Sequence, residues 1–151
     1  MLYSGTVAAA TEGFFHGIPA IAFSLVDCTD GFEQAAQTAA DVVQRCYGNP
    51  LLKDNVLSVN FPRLETHDDV ILSATRLGRR GRHGNASNVH GTDPRGEKIY
   101  WIGAVGKPMD AGAGTDFSAI ESGQVSITPI GVDMTAHDHI APLTNLLESS
   151  V

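Results

Sequence analysis

The amino-acid sequence predicts an α/β protein with three layers around a mostly parallel β-sheet, followed by a region that carries a β-hairpin arm. Two short, continuous apolar runs, 20–26 and 56–61, are typical of parallel strands buried on both faces. The segments before them, 5–16 and 30–48, have apolar residues at helical spacing. This helix–strand–helix–strand order predicts right-handed crossover connections. Strand-like segments on either side of the polar stretch 79–97 predict the arm.

The composition and net charge of the chain indicate which classes of binding partner are disfavoured. The chain has 151 residues, of which 42% are hydrophobic and 18% charged, as in a globular domain. Its formal net charge of −7 disfavours nucleic-acid duplexes and anionic membrane surfaces as partners. No apolar run approaches the roughly 20 residues of a membrane span, and we expect no secretory signal. Cys28 and Cys46 lack a metal-site spacing, which predicts reduced core thiols and a cytoplasmic protein.

The first helix is predicted over 5–16. Ser4 is its expected N-cap, and Gly17 followed by Pro19 is a stop signal. Its apolar residues recur at helical spacing: Val7, Ala10 and Phe14. The strand at 20–26 follows directly.

The second helix is predicted between residues 30 and 48. Asp30 with Glu33 resembles a capping box, and Gly48 with Pro50 ends the helix. One apolar stripe is expected along it: Phe32, Ala35, Ala36, Ala39, Val42, Val43, Cys46 and Tyr47.

After Pro62 the pattern changes to shorter elements. Residues 68–78 alternate like a strand, and 98–106 return as a strand. Between them, 79–97 are rich in glycine and asparagine, which predicts a long loop or a hairpin tip.

The last third of the chain closes with a loop, a strand and two helices. A glycine-rich loop and a short helix are predicted over 109–123, with Thr115 or Asp116 as the cap. A last strand is predicted at 124–132 and a terminal helix at 137–147.

The start of the chain is unusual for this fold class. A helix capped at residue 4 normally follows a strand, because strand-to-helix loops are short. Two parallel strands by themselves do not make a stable core. We therefore expect the fold to be incomplete at its N-terminus.

The sequence Ser4-Gly5-Thr6 has the properties of a phosphate-binding turn. A helix start leaves backbone N–H groups without partners and carries partial positive charge. Glycine lets an anion approach the backbone, and the two hydroxyl groups add donors. The alternative is a plain serine N-cap with no ligand.

Beyond these local signals, the chain resembles the SurE family of metal-dependent nucleotidases, which release phosphate from nucleoside monophosphates. The similarity runs in order from about residue 2 to residue 135, through five blocks: "YSGTVAAATEGFFHGIPAIAFSL", "VLSVNFP", "TRLGRR", "DPRGEKIYWIG" and "GTDFSAIESGQVSITPI".

The resemblance implies a SurE-like, Rossmann-like fold in two regions. Residues 1–62 would form the C-terminal part of the α/β nucleotidase core, and 63–151 a β-rich arm and oligomerisation region with a terminal strand and helix. On the family's pattern, Ser4, Gly5 and Thr6 bind phosphate. The arm exchanges between subunits in the family, which implies a homodimer or tetramer.

The resemblance also implies one divalent metal, Mg²⁺ or Mn²⁺. In the family an N-terminal half holds it through an Asp-Asp pair, a Ser and an Asn, and that half has no counterpart in this sequence. Asp68-Asp69 is no replacement, because it lies in a polar turn of the second region. We therefore expect neither metal ligands nor assignable catalytic residues in this chain.

A cluster of arginines interrupts the acidic sequence: Arg76, Arg79, Arg80 and Arg82. The cluster has three interpretations, namely a solvated strand end, contacts between subunits, or steering of an anionic nucleotide. Because the block lies on the family's arm, an interface role for Arg79 and Arg80 is favoured over contact with an anion.

Other candidates have simpler explanations. Tyr100 and Trp101 are neighbours on a strand and face opposite sides, so both cannot stack on one base. His137 and His139 flank an aspartate, but no third metal ligand is predictable.

Two functions follow. The first is part of a SurE-like 5′/3′-nucleotidase, a phosphomonoesterase acting on nucleoside monophosphates and on short polyphosphate. The second is a catalytically inactive fragment that serves only in assembly.

Overall fold

The computed structural model describes residues 4–26, 29–80, 88–102 and 106–149. In chain order the elements are α1 (Gly5–Phe15), β1 (Ile21–Leu25), α2 (Phe32–Cys46), α3 (Leu51–Asp54), β2 (Val56–Phe61), β3 (Leu72–Ala74), β4 (Arg79–Arg80), β5 (Asn88–Thr92), β6 (Lys98–Ile102), β7 (Pro108–Asp110), α4 (Asp116–Glu121), β8 (Val125–Ile130), a 3-10 turn (His137–His139) and α5 (Ile140–Glu148).

A four-stranded sheet with the order β1-β2-β8-β3 forms the centre of the structure. β1 pairs with β2 in parallel, β8 with β2 antiparallel, and β3 with β8 in parallel. The mostly parallel sheet of an α/β protein is therefore confirmed. Because β8 pairs with β2, the sheet contains two strands that precede residue 62 in the chain and two that follow it. The division into two regions at residue 62 stays a prediction.

Helices cover both faces of this sheet. On one face, Ala35 and Val42 of α2 pack with Leu57, Val59 and Phe61 of β2 in the main hydrophobic core. Successive strand residues point to opposite faces, so the second face carries the alternate residues.

The second face belongs to α1. A Cβ placed on Gly13 of α1 would lie 3.5 Å from the Cβ of Ala20. Ala22, two residues further along, is buried on the same side and pairs with the buried Ser58. The helix–sheet–helix arrangement gives the predicted three layers.

Several details differ from expectation in the first region. The predicted capping box is wrong: Gly31, with a φ of 80°, is the N-cap of α2, and the Asp30 carboxylate instead lies 3.3 Å from the Arg63 guanidinium. β1 is only partly buried, because among the described residues it pairs with β2 alone. Phe32 and Tyr47 are 64% and 87% exposed, so they lie outside the buried stripe.

The second region is more strand-rich than predicted. β5 occupies part of the expected loop and pairs antiparallel with β6, so the hairpin is confirmed and its turn is 93–97. The strand expected over 68–78 shortens to β3. Residues 81–87 and 103–105, which include Arg82 and the end of the 98–106 strand, lie outside the described residues.

Two helices leave large apolar side chains exposed. Neither α1 nor α5 contains a buried residue. Large exposed apolar side chains on these helices and the adjoining loop are Phe15, Ile18, Ile140, Leu143, Leu146 and Leu147. Much of this apolar surface is available to another polypeptide.

The base of the arm packs tightly against α4 at Gly78. A Cβ at this position would overlap the Phe117 ring and would lie 2.5 Å from the Asp110 carbonyl oxygen. We predict that Gly78→Ala lowers the free energy of unfolding by about 1–3 kcal/mol, since an overpacked site has to shift its neighbours. Urea denaturation would measure the change.

Gly112→Ala is the matched control, because a Cβ there meets no described heavy atom within 4 Å. Equal unfolding midpoints for the two variants would contradict the close packing at Gly78.

Candidate functional site

The N-terminus of α1 presents the predicted Ser4-Gly5-Thr6 turn. Ser4 has extended backbone angles and is the N-cap: its Oγ accepts a hydrogen bond from the Val7 N–H at 3.3 Å. Its carbonyl oxygen accepts from the Ala8 N–H at 3.0 Å, which starts the helix. The predicted cap is confirmed, and because the serine oxygen acts here as an acceptor, its O–H remains a hydrogen-bond donor.

The next two residues remain accessible. Gly5 and Thr6 are both exposed, and neither backbone N–H donates to another described residue. A Cβ at Gly5 would have no described heavy atom within 4 Å. The first turn of α1 contains no acidic residue, so nothing there offsets the positive end of the helix dipole.

Connectivity indicates which edge of the sheet this helix end lies near. α1 is joined to β1 by a short connection and packs on it, so the two elements run in opposite directions. Both span about 16 Å, given 1.5 Å per helical and about 3.3 Å per strand residue. We infer that Gly5 and Thr6 lie near the carboxyl ends of β1 and β2, the edge at which α/β proteins bind ligands.

This arrangement is able to receive an anion. It offers two backbone N–H groups, the Thr6 hydroxyl and a helix dipole at one exposed point. No phosphate contact is part of the structure, so phosphate binding by Ser4, Gly5 and Thr6 stays a prediction.

The described residues do not fit a metal ion. Across the four described ranges, no three His, Cys, Asp or Glu side chains come together in a group suited to hold one. Asp68 and Asp69 lie in a turn, as expected. The His137 Nε2 atom lies 2.7 Å from Asp133 Oδ2, so this histidine is hydrogen-bonded within its own segment.

The arginine cluster has a structural anchor that the sequence did not single out. Arg76 Nη1 and Nη2 donate to the two carboxylate oxygens of Asp110 at 2.6 and 3.0 Å. This hydrogen bond from Arg76 holds the pKa of Asp110 below its usual value. Asp110 lies in β7, beyond the hairpin, so no local pattern connects it to Arg76.

The two candidate arginines lie on β4, at the base of the arm. Both are exposed, and β4 pairs with β7. The Arg80 guanidinium lies 5.3 Å from the centre of the Phe117 ring, a cation–π distance. Neither residue is near α1 in sequence, and their role at an interface or at an anion stays a prediction.

Asp116 joins α4 to the arm. Thr115, not Asp116, is the N-cap of α4, since its Oγ1 accepts from the Ser118 N–H at 3.2 Å. The Asp116 carboxylate instead accepts from the Gly78 N–H at 2.7 Å and the Phe117 N–H at 3.0 Å. Of the two caps that the sequence allowed, the structure selects Thr115.

Comparison with known proteins identifies the family. A family model described as "Survival protein SurE" matches residues 1–84. The chain belongs to the SurE family. The resemblance drawn from the sequence blocks is confirmed.

Relatives of this SurE-family chain are themselves named nucleotidases. The chain is 51% identical over 146 residues to the 5′-nucleotidase SurE of Aliivibrio fischeri. This aligned stretch is 97% of the chain and 56% of that relative. With the 5′-nucleotidase SurE of Aeromonas hydrophila it shares 50% identity over 143 residues, or 95% of the chain and 55% of the relative.

A solved structure agrees with the fold. The crystal structure of SurE protein from Aquifex aeolicus is similar to the chain with a TM-score of 0.71 and 35% identity, over 96% of this chain and 58% of that one. The SurE-family chain therefore spans little more than half the length of the relatives it matches. Among the helices in the described ranges, none has both the length and the apolar character for crossing a membrane.

The Arg76–Asp110 pair predicts a pH dependence of stability. A carboxylate whose pKa is lowered in the folded state stabilises the fold above its unfolded-state pKa, about 3.9, and loses that contribution as the pH falls. Arg76→Gln should therefore lower the thermal midpoint at pH 7, and the difference from the parent chain should shrink below about pH 4.

Thermal unfolding between pH 2.5 and 7 measures this, with Arg95→Gln on the hairpin turn as the control. Because both side chains of the pair are about half exposed, we expect a small effect. A midpoint difference that is constant over the whole pH range would contradict the assignment.

Proposed function

We propose that the chain provides the phosphate-binding turn of a SurE-type phosphomonoesterase, which releases phosphate from nucleoside 5′- or 3′-monophosphates. The names of the relatives support the reaction class. The observation that carries the proposal is the exposed N–H pair of Gly5 and Thr6 at the positive end of α1, neither of which donates to any residue in the described part of the chain.

The turn would bind the substrate through its phosphate group. The Gly5 and Thr6 N–H groups and the Ser4 and Thr6 hydroxyl groups donate to phosphate oxygens, while the Ser4 oxygen also caps the helix. Fixed donors stabilise the charge that builds on these oxygens as the ester bond breaks. Since hydrolysis of phosphate monoesters is very slow in water, such stabilisation has to be large.

We propose that the family's divalent metal, Mg²⁺ or Mn²⁺, is held by residues outside these 151. The described residues do not fit it, so we assign no step of the reaction to it. We propose, as the family resemblance implies, that the chain by itself has no complete active site. In the alternative function the chain is an inactive assembly module, which no metal-binding part completes to an active site.

The first test is an activity assay of the chain alone. We predict that the chain hydrolyses p-nitrophenyl phosphate with added Mn²⁺ no faster than its Ser4→Ala/Thr6→Ala double variant does, because the proposed site takes its metal from residues outside this chain. The full-length Aliivibrio fischeri relative, assayed in parallel, is the positive control. Turnover well above the double variant would contradict the incomplete-site proposal.

A chimaera separates the enzyme from the assembly module. Joined to the N-terminal part of the Aliivibrio fischeri relative, the chain should hydrolyse nucleoside monophosphates, and Ser4→Ala/Thr6→Ala in the chimaera should reduce this activity. A folded but inactive chimaera would favour the assembly module.

A third test addresses the turn itself. Gly5→Ala adds a methyl group where the described structure has open space, so the fold should be as stable as before or slightly more stable. The same methyl group obstructs an anion, and we predict that affinity for adenosine monophosphate falls roughly 3- to 10-fold, as for one weakened hydrogen bond. Calorimetry measures both quantities. Equal affinity in parent and variant would contradict binding at this turn, and Gly112→Ala is the matched control.

We also propose that the chain forms a homodimer or a tetramer by exchanging its arm. The β5–β6 hairpin forms a two-stranded sheet of its own, apart from the central sheet. The exposed Arg79 and Arg80 at the base of the arm, and the exposed apolar side chains of α5, are available to a second copy.

Light scattering after size exclusion tests the assembly. The chain should elute as a dimer or larger species at micromolar concentration, and Arg79→Ala/Arg80→Ala should shift it toward smaller species. Arg45→Ala/Lys53→Ala removes the same charge away from the arm and should leave the assembly intact. A monodisperse monomer with a cooperative melting transition would contradict the proposal.

The last part of the proposal concerns the cellular compartment of the protein. We infer a cytoplasmic protein from the spacing of the two cysteines in the sequence. Cys46 is a free, half-buried thiol in the structure, whereas Cys28 lies outside the described residues.

A further inference from the structure

A row of polar side chains crosses the central sheet near the carboxyl ends of β1 and β2. Each strand contributes one uncharged residue to it: Ser24, Asn60, Ser126 and Ser73. In the register of the sheet, Ser24 pairs with Asn60. Ser126 of β8 pairs with Asn60 on one side and with Ser73 on the other. Because directly paired residues have their side chains on the same face of a sheet, the four side chains form one line.

The row lies on the face that α1 covers, level with the start of that helix. Gly13 of α1 packs on Ala20, at a Cβ distance of 3.5 Å for an alanine at residue 13. Gly5 is eight residues before Gly13, or about 12 Å along the helix, and Ser24 is four residues after Ala20, or about 13 Å along the strand. Since α1 and β1 run in opposite directions, Gly5 and Ser24 lie at the same height along β1.

The two ends of the row differ in their hydrogen bonding. On the β3 side, the Ser73 hydroxyl donates to the Gln124 side chain. In the middle, the Asn60 Nδ2 atom donates to Oγ of the fully buried Ser126 at 3.2 Å. On the β1 side, neither Asn60 Oδ1 nor Ser24 Oγ has a hydrogen-bond partner among the described residues, and neither residue is fully buried. The row therefore has unused hydrogen-bonding capacity at the end that lies beneath the start of α1.

Ser126 fixes the orientation of the Asn60 side chain. The carbonyl oxygen and the NH₂ group lie on opposite sides of a planar carboxamide, so the bond from Nδ2 to Ser126 directs Oδ1 away from β8. Ser126 itself is buried completely and cannot touch a ligand. It acts as a positioning residue, and Asn60 presents an acceptor oxygen.

We propose that Asn60 and Ser24 bind sugar hydroxyl groups of a nucleotide whose phosphate lies at the Ser4-Gly5-Thr6 turn. An amide oxygen accepts from an O–H group but repels a phosphate oxygen, whereas the turn offers donors that suit phosphate. The Ser24 hydroxyl can donate or accept. This inference rests on the proposed phosphate-binding turn and adds a substrate preference: phosphate esters of a sugar that carries free hydroxyl groups.

Calorimetric titration of the 151-residue chain with three probes tests this inference. The probes are adenosine 5′-monophosphate, its 2′,3′-dideoxy analogue and sodium phosphate, and the parent chain should bind the first more tightly than the second. Asn60→Ala should weaken binding of adenosine monophosphate roughly 3- to 10-fold, as for one lost hydrogen bond, and leave the affinities for the other two probes unchanged. A merely structural role of Asn60 would change all three affinities together.

Asn55→Ala is the matched control. Asn55 lies at the opposite end of β2, and its amide also donates one hydrogen bond, to the Leu51 carbonyl oxygen at 3.1 Å. This variant should bind all three probes like the parent chain. Ser24→Ala removes a hydroxyl group that no described residue engages, so it should keep the fold and lose roughly two- to five-fold in affinity for adenosine monophosphate alone. It decides the question if Asn60→Ala fails to fold.

The outcomes separate this inference from the function on which it rests. Equal affinity of the parent chain for adenosine monophosphate and its dideoxy analogue would overturn the role of Asn60 and Ser24 and leave the phosphate-binding turn standing. So would variants of both residues that bind adenosine monophosphate as the parent does, or that lose affinity for phosphate in the same proportion. A parent chain that binds none of the probes would overturn the turn itself, and this inference with it.

Discussion

The antiparallel pairing of β2 with β8 is the constraint on which the rest of the structure depends. Five residue pairs join the strands, from Val56 with Ile130 to Asn60 with Ser126, and the Asn60 amide also donates to the Ser126 hydroxyl at 3.2 Å. This pairing connects segments far apart in the chain. Without it, the central sheet would consist of β1 and β2 alone, and two strands make no stable core.

The same pairing positions the start of α1 and the connection between β2 and β3. It sets β2 in the middle of the sheet, buried on both faces, with α2 on one side and α1 on the other. The parallel alignment of β1 with β2 then directs the start of α1 to one edge of the sheet. On the opposite face, the insertion of β8 makes residues 62–71 cross from β2 to β3, which brings His67 within 3.3 Å of Asp41 on α2.

Local patterns in the sequence predicted the elements that local forces determine. The Ser4 cap, the helical spacing of Val7, Ala10 and Phe14, and the short helix after Thr115 each depend on neighbouring residues, and each is present. The capping box at Asp30 was wrong because a distant residue, Arg63, attracts that carboxylate, while Gly31 takes a left-handed conformation and begins the helix.

Long-range contacts could not be predicted in the same way. Arg76 with Asp110, and His67 with Asp41, are separated by 34 and 26 positions, and no spacing rule relates them. The glycine and asparagine of β5 are rare in strands, so the sequence predicts a loop there; its pairing with β6 is what makes the segment a strand. Local chemistry alone makes Ser4-Gly5-Thr6 a candidate anion-binding turn, and the family resemblance adds the expectation that the anion is the phosphate of a nucleotide.

The central claim is that the exposed amides at the start of α1 form an anion-binding turn. Titration of the ¹⁵N-labelled chain with sodium phosphate, followed by ¹H–¹⁵N correlation spectra, tests it most directly. The account predicts saturable shifts of the Gly5 and Thr6 amide resonances, with little change at Gly112. Resonances of Gly5 and Thr6 that stay fixed while amides elsewhere in the chain respond would contradict it.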